Sequence, residues 1–252
     1  MLKSASIRLA LACVCCWYSF LSNANTLNFT ISQSLTMPLA SISLANNGLT
    51  VNRDKGLMIE LGNKISDALT MTPNFLAVPR DELIDQLLNG HTDMVCYLVP
   101  SWIQSAADSV DWSAPFMESR EIIISKNQIA RIVQPEDLKG KNLGVIQHYH
   151  YPLLAELVNK KSINLTYSNT ETNNFMALFR RNNVDAIIIQ DLTFDWLAKK
   201  HRNLVHKTKV QKHPLVITSS KPQCAISRHA NLDLTLVNKG IAAFKKAMGY
   251  DF

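Results

Sequence analysis

The sequence predicts an α/β fold of two lobes, each a central, mostly parallel sheet flanked by helices, with two crossover strands joining the lobes. Short apolar runs alternate with segments of helical spacing along most of the chain. The run at 186–189 is apolar throughout, as in a parallel strand buried on both faces. Strand and helix patterns like those of the beginning return after residue 214, so we expect the chain to cross between the lobes twice.

The first lobe is expected to contain the elements of both ends of the chain. Its first helix follows Gly56, and Asn89-Gly90 ends its second helix. The strands are expected at 27–32, 75–78, 94–99 and 224–227, with a further strand at 215–219 across the boundary between the lobes, and the helices at 59–69, 83–88 and 232–248.

The second lobe is expected to repeat the same alternation with shorter elements. Its strands are predicted at 121–125, 143–146, 163–167 and 186–189. One helix is predicted to begin at 135, and the others lie at 153–158, around 175–179 and around 196–197. The predicted division is therefore a signal peptide at 1–24, lobe one at 26–118 plus 217–252, and lobe two at 119–216.

The N-terminus has the layout of a secretory signal. Lys3 and Arg8 form a short positive region, an apolar run extends over 7–21, and small residues at 22–24 suit a signal peptidase. The alternative is an uncleaved N-terminal anchor, although the run is short for a membrane span. The signal predicts a periplasmic protein whose mature chain begins near Asn25.

The charge of the chain indicates no nucleic-acid partner. The net charge of +6 falls to +4 when Lys3 and Arg8 leave with residues 1–24, which contain no acidic residue. The densest basic run, at 199–202, is typical of a solvated helix end. No basic stripe with interleaved aromatic residues occurs.

Two cysteines, Cys96 and Cys224, lie beyond the signal. An exported protein can oxidise such a pair, and both are expected on strands of lobe one. A disulfide is geometrically demanding, so we expect both thiols to be reduced and buried.

Five segments carry a resemblance to a known family: 56–61, 87–93, 110–116, 137–145 and 184–186. Their order and spacing resemble the family 3 extracellular solute-binding proteins, the periplasmic receptors for polar amino acids and related solutes. The resemblance implies the type II periplasmic-binding fold, a small polar or aromatic solute held between the lobes, and an ABC-type permease in the inner membrane as partner. It implies a monomer without enzymatic activity or cofactor.

Two alternatives from other functional classes remain. Some proteins similar in fold, the cyclohexadienyl dehydratases, are enzymes, although no nucleophile motif or phosphate loop occurs here. A sensory or degenerate binding module without a transport role is the other.

Some residues of the resembling segments have scaffold roles on physical grounds. Asp93 and Asp185 each precede a buried strand and are expected to cap backbone amides. Gly140 is expected in a tight turn, where a side chain would clash.

The departures from the family pattern bear on the ligand. Amino-acid receptors that this chain resembles carry a Thr-x-x-Arg segment whose Arg grips the ligand carboxylate. Ile103 and Ala106 stand at those two positions here, and Gln190 stands where an Asp often holds the ligand ammonium. Shifting the alignment by one residue would place Asp191 at the ammonium-binding position, but it would not supply the Arg that grips the carboxylate. We therefore expect standard α-amino acids to bind weakly or not at all.

The candidate site follows from the rule that ligands of open α/β sheets lie beyond the carboxyl ends of the strands. Four loops satisfy it, and the aromatic and imidazole side chains at 147–151 are the most distinctive. His148 and His150 could chelate a metal, but no companion ligand has suitable spacing, so no metal is predicted. The predicted ligand-binding residues are Pro38, Ser101, Trp102, Gln147, His148, Tyr149, His150, Tyr151, Gln190 and Asp191.

Overall fold

The computed structural model describes residues 25–45, 48–126, 128–180 and 184–249. The signal sequence expected at 1–24 lies outside these ranges. None of the helices within them is both long and apolar enough to cross a membrane.

Twelve strands lie in the described part of the chain, and ten of them form two five-stranded sheets. The strands are β1 (Thr26–Ser32), β2 (Ile42–Ala45), β3 (Gly48–Val51), β4 (Thr72–Val78), β5 (Met94–Leu98), β6 (Val110–Trp112), β7 (Ser119–Lys126), β8 (Asn142–Ile146), β9 (Asn164–Ser168), β10 (Ala186–Gln190), β11 (Val210–Ser220) and β12 (Gln223–Ser227).

Seven α-helices flank the sheets in the described ranges, and short 3-10 turns join some of the elements. The helices are α1 (Leu57–Leu69), α2 (Leu83–Leu88), α3 (Ala155–Asn159), α4 (Glu171–Ala177), α5 (Asp191–Lys200), α6 (Arg202–Thr208) and α7 (Leu234–Met248).

The first sheet has the order β4-β1-β5-β12-β6. β1 pairs in parallel with β4 and with β5, whereas β12 is antiparallel to β5 and to β6. One face packs against α1 and α7 in a core that includes Phe29, Phe116 and Phe244. The close approach of these two helices requires Gly240, where a Cβ atom would lie 2.5 Å from the Cα of Ile65.

The second sheet has the order β11-β7-β10-β8-β9. β8 is parallel to β9 and β10, while β7 is antiparallel to β10 and to β11. Apolar cores cover both faces of this sheet, and every residue of β10 is therefore buried. The two-lobed α/β fold predicted from the sequence is confirmed, with sheets of mixed rather than mainly parallel orientation.

Most expected elements lie where the sequence indicates them, within a few residues. The hairpin of β2 and β3 was not expected, because its residues alternate weakly and are largely exposed. Helix α6 was also missed, since it buries no residue and its spacing carries no apolar signal.

The scaffold roles expected for Asp93, Asp185 and Gly140 differ in outcome. The Oδ2 atom of Asp93 accepts from the backbone N–H of Asn28 at 2.7 Å, and that of Asp185 accepts from Asn142 at 2.8 Å. Both capping predictions are therefore confirmed. Gly140 has a φ of 75°, but an added Cβ would meet nothing within 4 Å. The expected clash is thus wrong, and the backbone angle alone favours glycine there.

Cys96 and Cys224 form a disulfide, which corrects the expectation of two reduced thiols. The two residues are direct partners across the antiparallel pair of β5 and β12, with Cα atoms 3.9 Å apart. Sequence reasoning placed both strands in one lobe but had no means of establishing their register.

We expect unreduced, denatured protein lacking residues 1–24 to contain no free thiol in a thiol titration, and two after reduction. Because the bridge joins residues 128 apart, replacing both cysteines with serine should lower the free energy of unfolding by about 2–4 kcal/mol in denaturant titration. Two free thiols before reduction would contradict the disulfide.

Candidate functional site

The loops that follow the parallel strands of the two sheets meet in a cleft between the lobes. Thr36 and Thr172 join their hydroxyl groups at 2.7 Å across it. The Oγ of Ser34 lies 3.3 Å from the hydroxyl of Tyr149, and the backbone N–H of Glu171 donates to the carbonyl of Ser34 at 3.3 Å. These hydrogen bonds hold the two lobes together around the cleft.

The inner part of the cleft is an enclosed cavity of about 10 Å³, which we call the inner cavity. The closed cavity has room for about one water molecule, so a larger solute requires the two lobes to move apart. Aromatic rings from both lobes and several polar groups form its wall. Its lining residues are Leu35, Leu39, Tyr97, Trp102, Ser119, Glu121, Tyr149, Glu171, Gln190 and Ser220.

Tyr97 has an unusual backbone at this wall. Its φ of 68° is rare for a bulky residue and is the kind of strain that concentrates at functional sites. The buried side chain reaches the crossover strand, where its hydroxyl lies 2.6 Å from the Oγ of Ser119. Burial raises the pKa of Tyr97 well above its ordinary value. The phenol therefore stays protonated and can donate or accept a hydrogen bond.

Glu171 and Gln190 carry buried polar atoms at the cavity wall, and each residue is 3 % exposed. The carboxyl of Glu171 accepts from the backbone N–H of Gln190, and Gln190 Oε1 accepts from the N–H of Thr193 at 2.6 Å. Among the described residues, Glu171 Oε2 and Gln190 Nε2 have no hydrogen-bond partner. Such groups are costly to bury, so the cavity offers one acceptor and one donor to a ligand.

Glu121 brings a second carboxyl group to the same cavity from β7. Burial raises its pKa to about 7, against the opposing effects of a hydrogen bond with Thr218 and the charge of Arg80. Burial also raises the pKa of Glu171 well above its ordinary value, and the charge of Glu121 adds to that shift. The two carboxyls thus raise the energy of the ionised form of each other.

Arg80 is the basic residue at the outer side of the cleft. It lies in the loop after β4, with its guanidinium carbon 5.2 Å from the ring centroid of Tyr149 and 6.0 Å from that of Trp102. These are distances at which a cation is attracted to an aromatic face. It also lines a polar pocket of about 210 Å³ with Gln147 and His148.

The structure brings only some of the predicted site residues to the inner cavity. Trp102, Tyr149 and Gln190 line it. The others lie further out: Gln147 and His148 in the polar pocket with Arg80, and Ser101, His150 and Tyr151 in an open groove of about 980 Å³.

Two predicted residues have other partners. The carbonyl of Pro38 accepts from the N–H of Leu57 at the start of α1, and its neighbours Leu35 and Leu39 line the cavity instead. Asp191 forms an ion pair with Arg120 at 2.9 Å. Tyr151 also has a structural contact, because its hydroxyl accepts from the N–H of Ile146 at 3.2 Å.

Sequence reasoning missed Arg80, Glu121, Glu171 and Tyr97. Arg80 and Glu171 follow β4 and β9, so the rule about carboxyl ends of strands could have found them. Tyr97 and Glu121 lie within strands, and no pattern in the sequence distinguishes them from ordinary sheet residues. Within the described ranges, no three histidine, cysteine or acidic residues come together as metal ligands would.

Comparison with known proteins identifies the fold. No protein-family model matches the chain, and no curated protein matches it. An ancestral arginine-binding protein bound to arginine is 23% identical, with a TM-score of 0.69 over 90% of this chain and 95% of that chain. The chain has the fold of that protein.

Further solved structures agree with this assignment. Holo ArgBP from T. maritima is 18% identical, with a TM-score of 0.66 over 88% of this chain and 91% of that chain. The substrate-binding protein of an amino acid ABC transporter is 22% identical, with a TM-score of 0.66 over 90% of this chain and 96% of that chain. Identities this low support the fold assignment alone.

The pKa of Glu121 leads to a testable effect on stability. An unfolded glutamate ionises near its ordinary pKa of 4.5, whereas folded Glu121 keeps its proton up to about pH 7. The stabilisation by the proton on folded Glu121 is therefore fully present below pH 4.5. The free energy of unfolding falls by roughly 3 kcal/mol in total as the pH rises from 4.5 to about 7. We expect Glu121→Gln to be more stable than the parent at about pH 8, and the difference to vanish near pH 4.5.

Denaturant titrations of both proteins at the two pH values provide the measurement. Glu118→Gln is the matched control, since the Glu118 side chain is 55% exposed and its pair with Lys221 spans 3.5 Å. An equal difference at both pH values, or a less stable Glu121→Gln protein at about pH 8, would refute the shifted pKa.

Proposed function

We propose that this chain binds a small polar or aromatic solute between its two lobes and serves as an exported, periplasmic solute-binding protein of an ABC-type transporter. In this proposal the protein is a monomer that delivers its solute to an inner-membrane permease and catalyses no reaction. Lobe one comprises about 26–118 plus 217–252, lobe two comprises 119–216, and residues 1–24 are the cleaved signal.

The observation that carries the proposal is the inner cavity. Rings from both lobes surround it, namely Tyr97 and Trp102 on one side and Tyr149 on the other. Buried hydrogen-bonding atoms of Glu171 and Gln190 line it without partners among the described residues. Apolar walls with a few convergent polar groups are typical of small-molecule sites.

The comparisons support the proposal through the fold. The similar solved structures are named as arginine-binding proteins and as a substrate-binding protein of an amino acid ABC transporter. This chain shares their fold, and the loops after its parallel strands meet in the cleft between the lobes, where ligands of α/β sheets lie.

One observation favours an enzyme as the second candidate. A carboxyl group with a pKa of about 7 in an enclosed cavity, as Glu121 has, suits general acid–base catalysis. Incubating the protein with its solute and following the solute by NMR separates the two functions. A bound solute that returns unchanged supports binding, and one that is converted supports the enzyme.

The direct test combines ligand discovery with two ring variants. Native mass spectrometry of protein purified without refolding, followed by a thermal-shift screen of small polar and aromatic solutes, should reveal a ligand. Trp102→Ala and Tyr149→Ala should each weaken its binding at least tenfold in calorimetric titration, because each removes a wall of the cavity.

Tyr167→Ala is the control for these variants, since Tyr167 is 60% exposed on the edge strand β9 and should leave the affinity unchanged. Unchanged affinity in both cavity variants would exclude this site. The absence of any ligand in either experiment would contradict the binding function itself.

A further inference from the structure

The inner cavity is acidic. Glu121 and Glu171 both line it, and none of its lining residues is a lysine, an arginine or a histidine. Arg80 lies over the rings of Tyr149 and Trp102, and it lines an adjoining pocket of about 20 Å³ together with Glu121, His148 and His150. Ala106 is buried and packs in an apolar cluster, apart from the residues that line the cavity.

The unpartnered atoms of the wall define what a ligand must offer. When its carboxyl is ionised, Glu171 Oε2 accepts only, so it requires a donor, and a charged donor favours that ionised form against the burial that raises the pKa. Gln190 Nε2 is a donor whose orientation is fixed, because Oε1 of the same amide accepts from Thr193. Gln190 therefore requires an acceptor atom within reach of the charged donor.

The rings of the cavity suit a cation as well. Trp102 and Tyr149 already attract one guanidinium, that of Arg80, at 6.0 and 5.2 Å from their centroids. Tyr97 adds a third electron-rich ring at the same wall. A carboxylate in this cavity would face two acidic side chains, and no basic residue is among the residues that line it, an arrangement that is unfavourable at low dielectric.

We propose that the solute of this site is an organic cation, an amine or guanidine that carries no carboxylate, held by Glu121 and Glu171 against the rings of Tyr97, Trp102 and Tyr149. This inference rests on the proposed solute-binding function and specifies its ligand class. It separates this chain from receptors that grip an amino-acid carboxylate. The ammonium or guanidinium group lies against Glu171, and a polar atom elsewhere in the solute accepts from Gln190.

The experiment compares probes that differ in charge. Calorimetric titrations at about pH 8 would use agmatine and putrescine as cations without a carboxylate, L-arginine as the carboxylated analogue of agmatine, and succinate as an anion. We expect at least one of the two cations to bind, L-arginine to bind at least tenfold more weakly than agmatine, and succinate not to bind.

Glutamine variants identify the carboxyl groups that bind the cation. Glu121→Gln and Glu171→Gln should each weaken binding of the cation at least tenfold, while Glu118→Gln, on the exposed surface, should not. Glutamine preserves the size and acceptor oxygen of the side chain, so folding should be retained, and a thermal melt of each variant verifies this.

A change of pH gives a second readout. Because the pKa of Glu121 is about 7, affinity for the cation should fall about tenfold between pH 8 and pH 6, as the ionised fraction of that carboxyl falls about tenfold. Glu171 takes up protons in the same direction. The tyrosines Tyr97, Tyr149 and Tyr151 stay protonated over this range, because burial raises the pKa of each. The other charged or titratable groups of the adjoining pocket are Arg80, His148 and His150.

The outcomes separate the ligand class from the binding function. L-arginine binding as tightly as agmatine, or a neutral or anionic solute as the tight ligand, overturns the organic-cation assignment and leaves solute binding intact. Failure of both cations overturns it too. If no solute of any charge binds and none co-purifies, the proposed function fails, and this inference fails with it.

Discussion

The antiparallel pairing of β7 with β11 is the constraint on which the rest of the structure depends. Both strands run from the boundary between the lobes into the second sheet, with Ser119 opposite Ser220 and Glu121 opposite Thr218. Because the chain crosses twice at one place, the two sheets are held with the carboxyl ends of their parallel strands facing each other. The crossover residues Ser119, Glu121 and Ser220 thereby become part of the cavity wall.

Part of the polar burial lies at this junction. The lobes themselves have apolar cores, and their largest fully buried side chains are phenylalanine, leucine, isoleucine and methionine. By contrast, Glu171 and Gln190 are each 3 % exposed and keep atoms without a partner among the described residues. Replacing such groups with neutral or apolar residues commonly raises stability. Their retention is therefore typical of positions where function needs them. Two of the residues with unsatisfied buried atoms therefore belong to the site, while Ser66, Asn174 and Thr193 carry such atoms outside the cavity lining.

The sequence predicted the lobes well because apolar periodicity reports burial directly. β10 illustrates this, since a wholly apolar run became a wholly buried strand. The site was predicted in part: Trp102, Tyr149 and Gln190 lie in loops that the strand-end rule selects, and all three reach the cavity.

The remainder depends on long-range geometry. Glu121 faces the cavity only because of the crossover, and Cys96 meets Cys224 only through the register of β5 and β12. Neither relation leaves a local pattern in the sequence.

The positions of Arg80 and Ala106 explain why the acidic residues dominate the inner cavity. Ala106 packs with Ile103 and Val110 in an apolar cluster and brings no charge to the cavity. Arg80 lies instead in a loop, half-buried and beside a polar pocket of about 210 Å³. A charge in contact with solvent is screened far more than one in a closed cavity, because the effective dielectric is higher there. Glu121 and Glu171, which line the cavity, therefore contribute more than Arg80 to the potential that a solute meets inside.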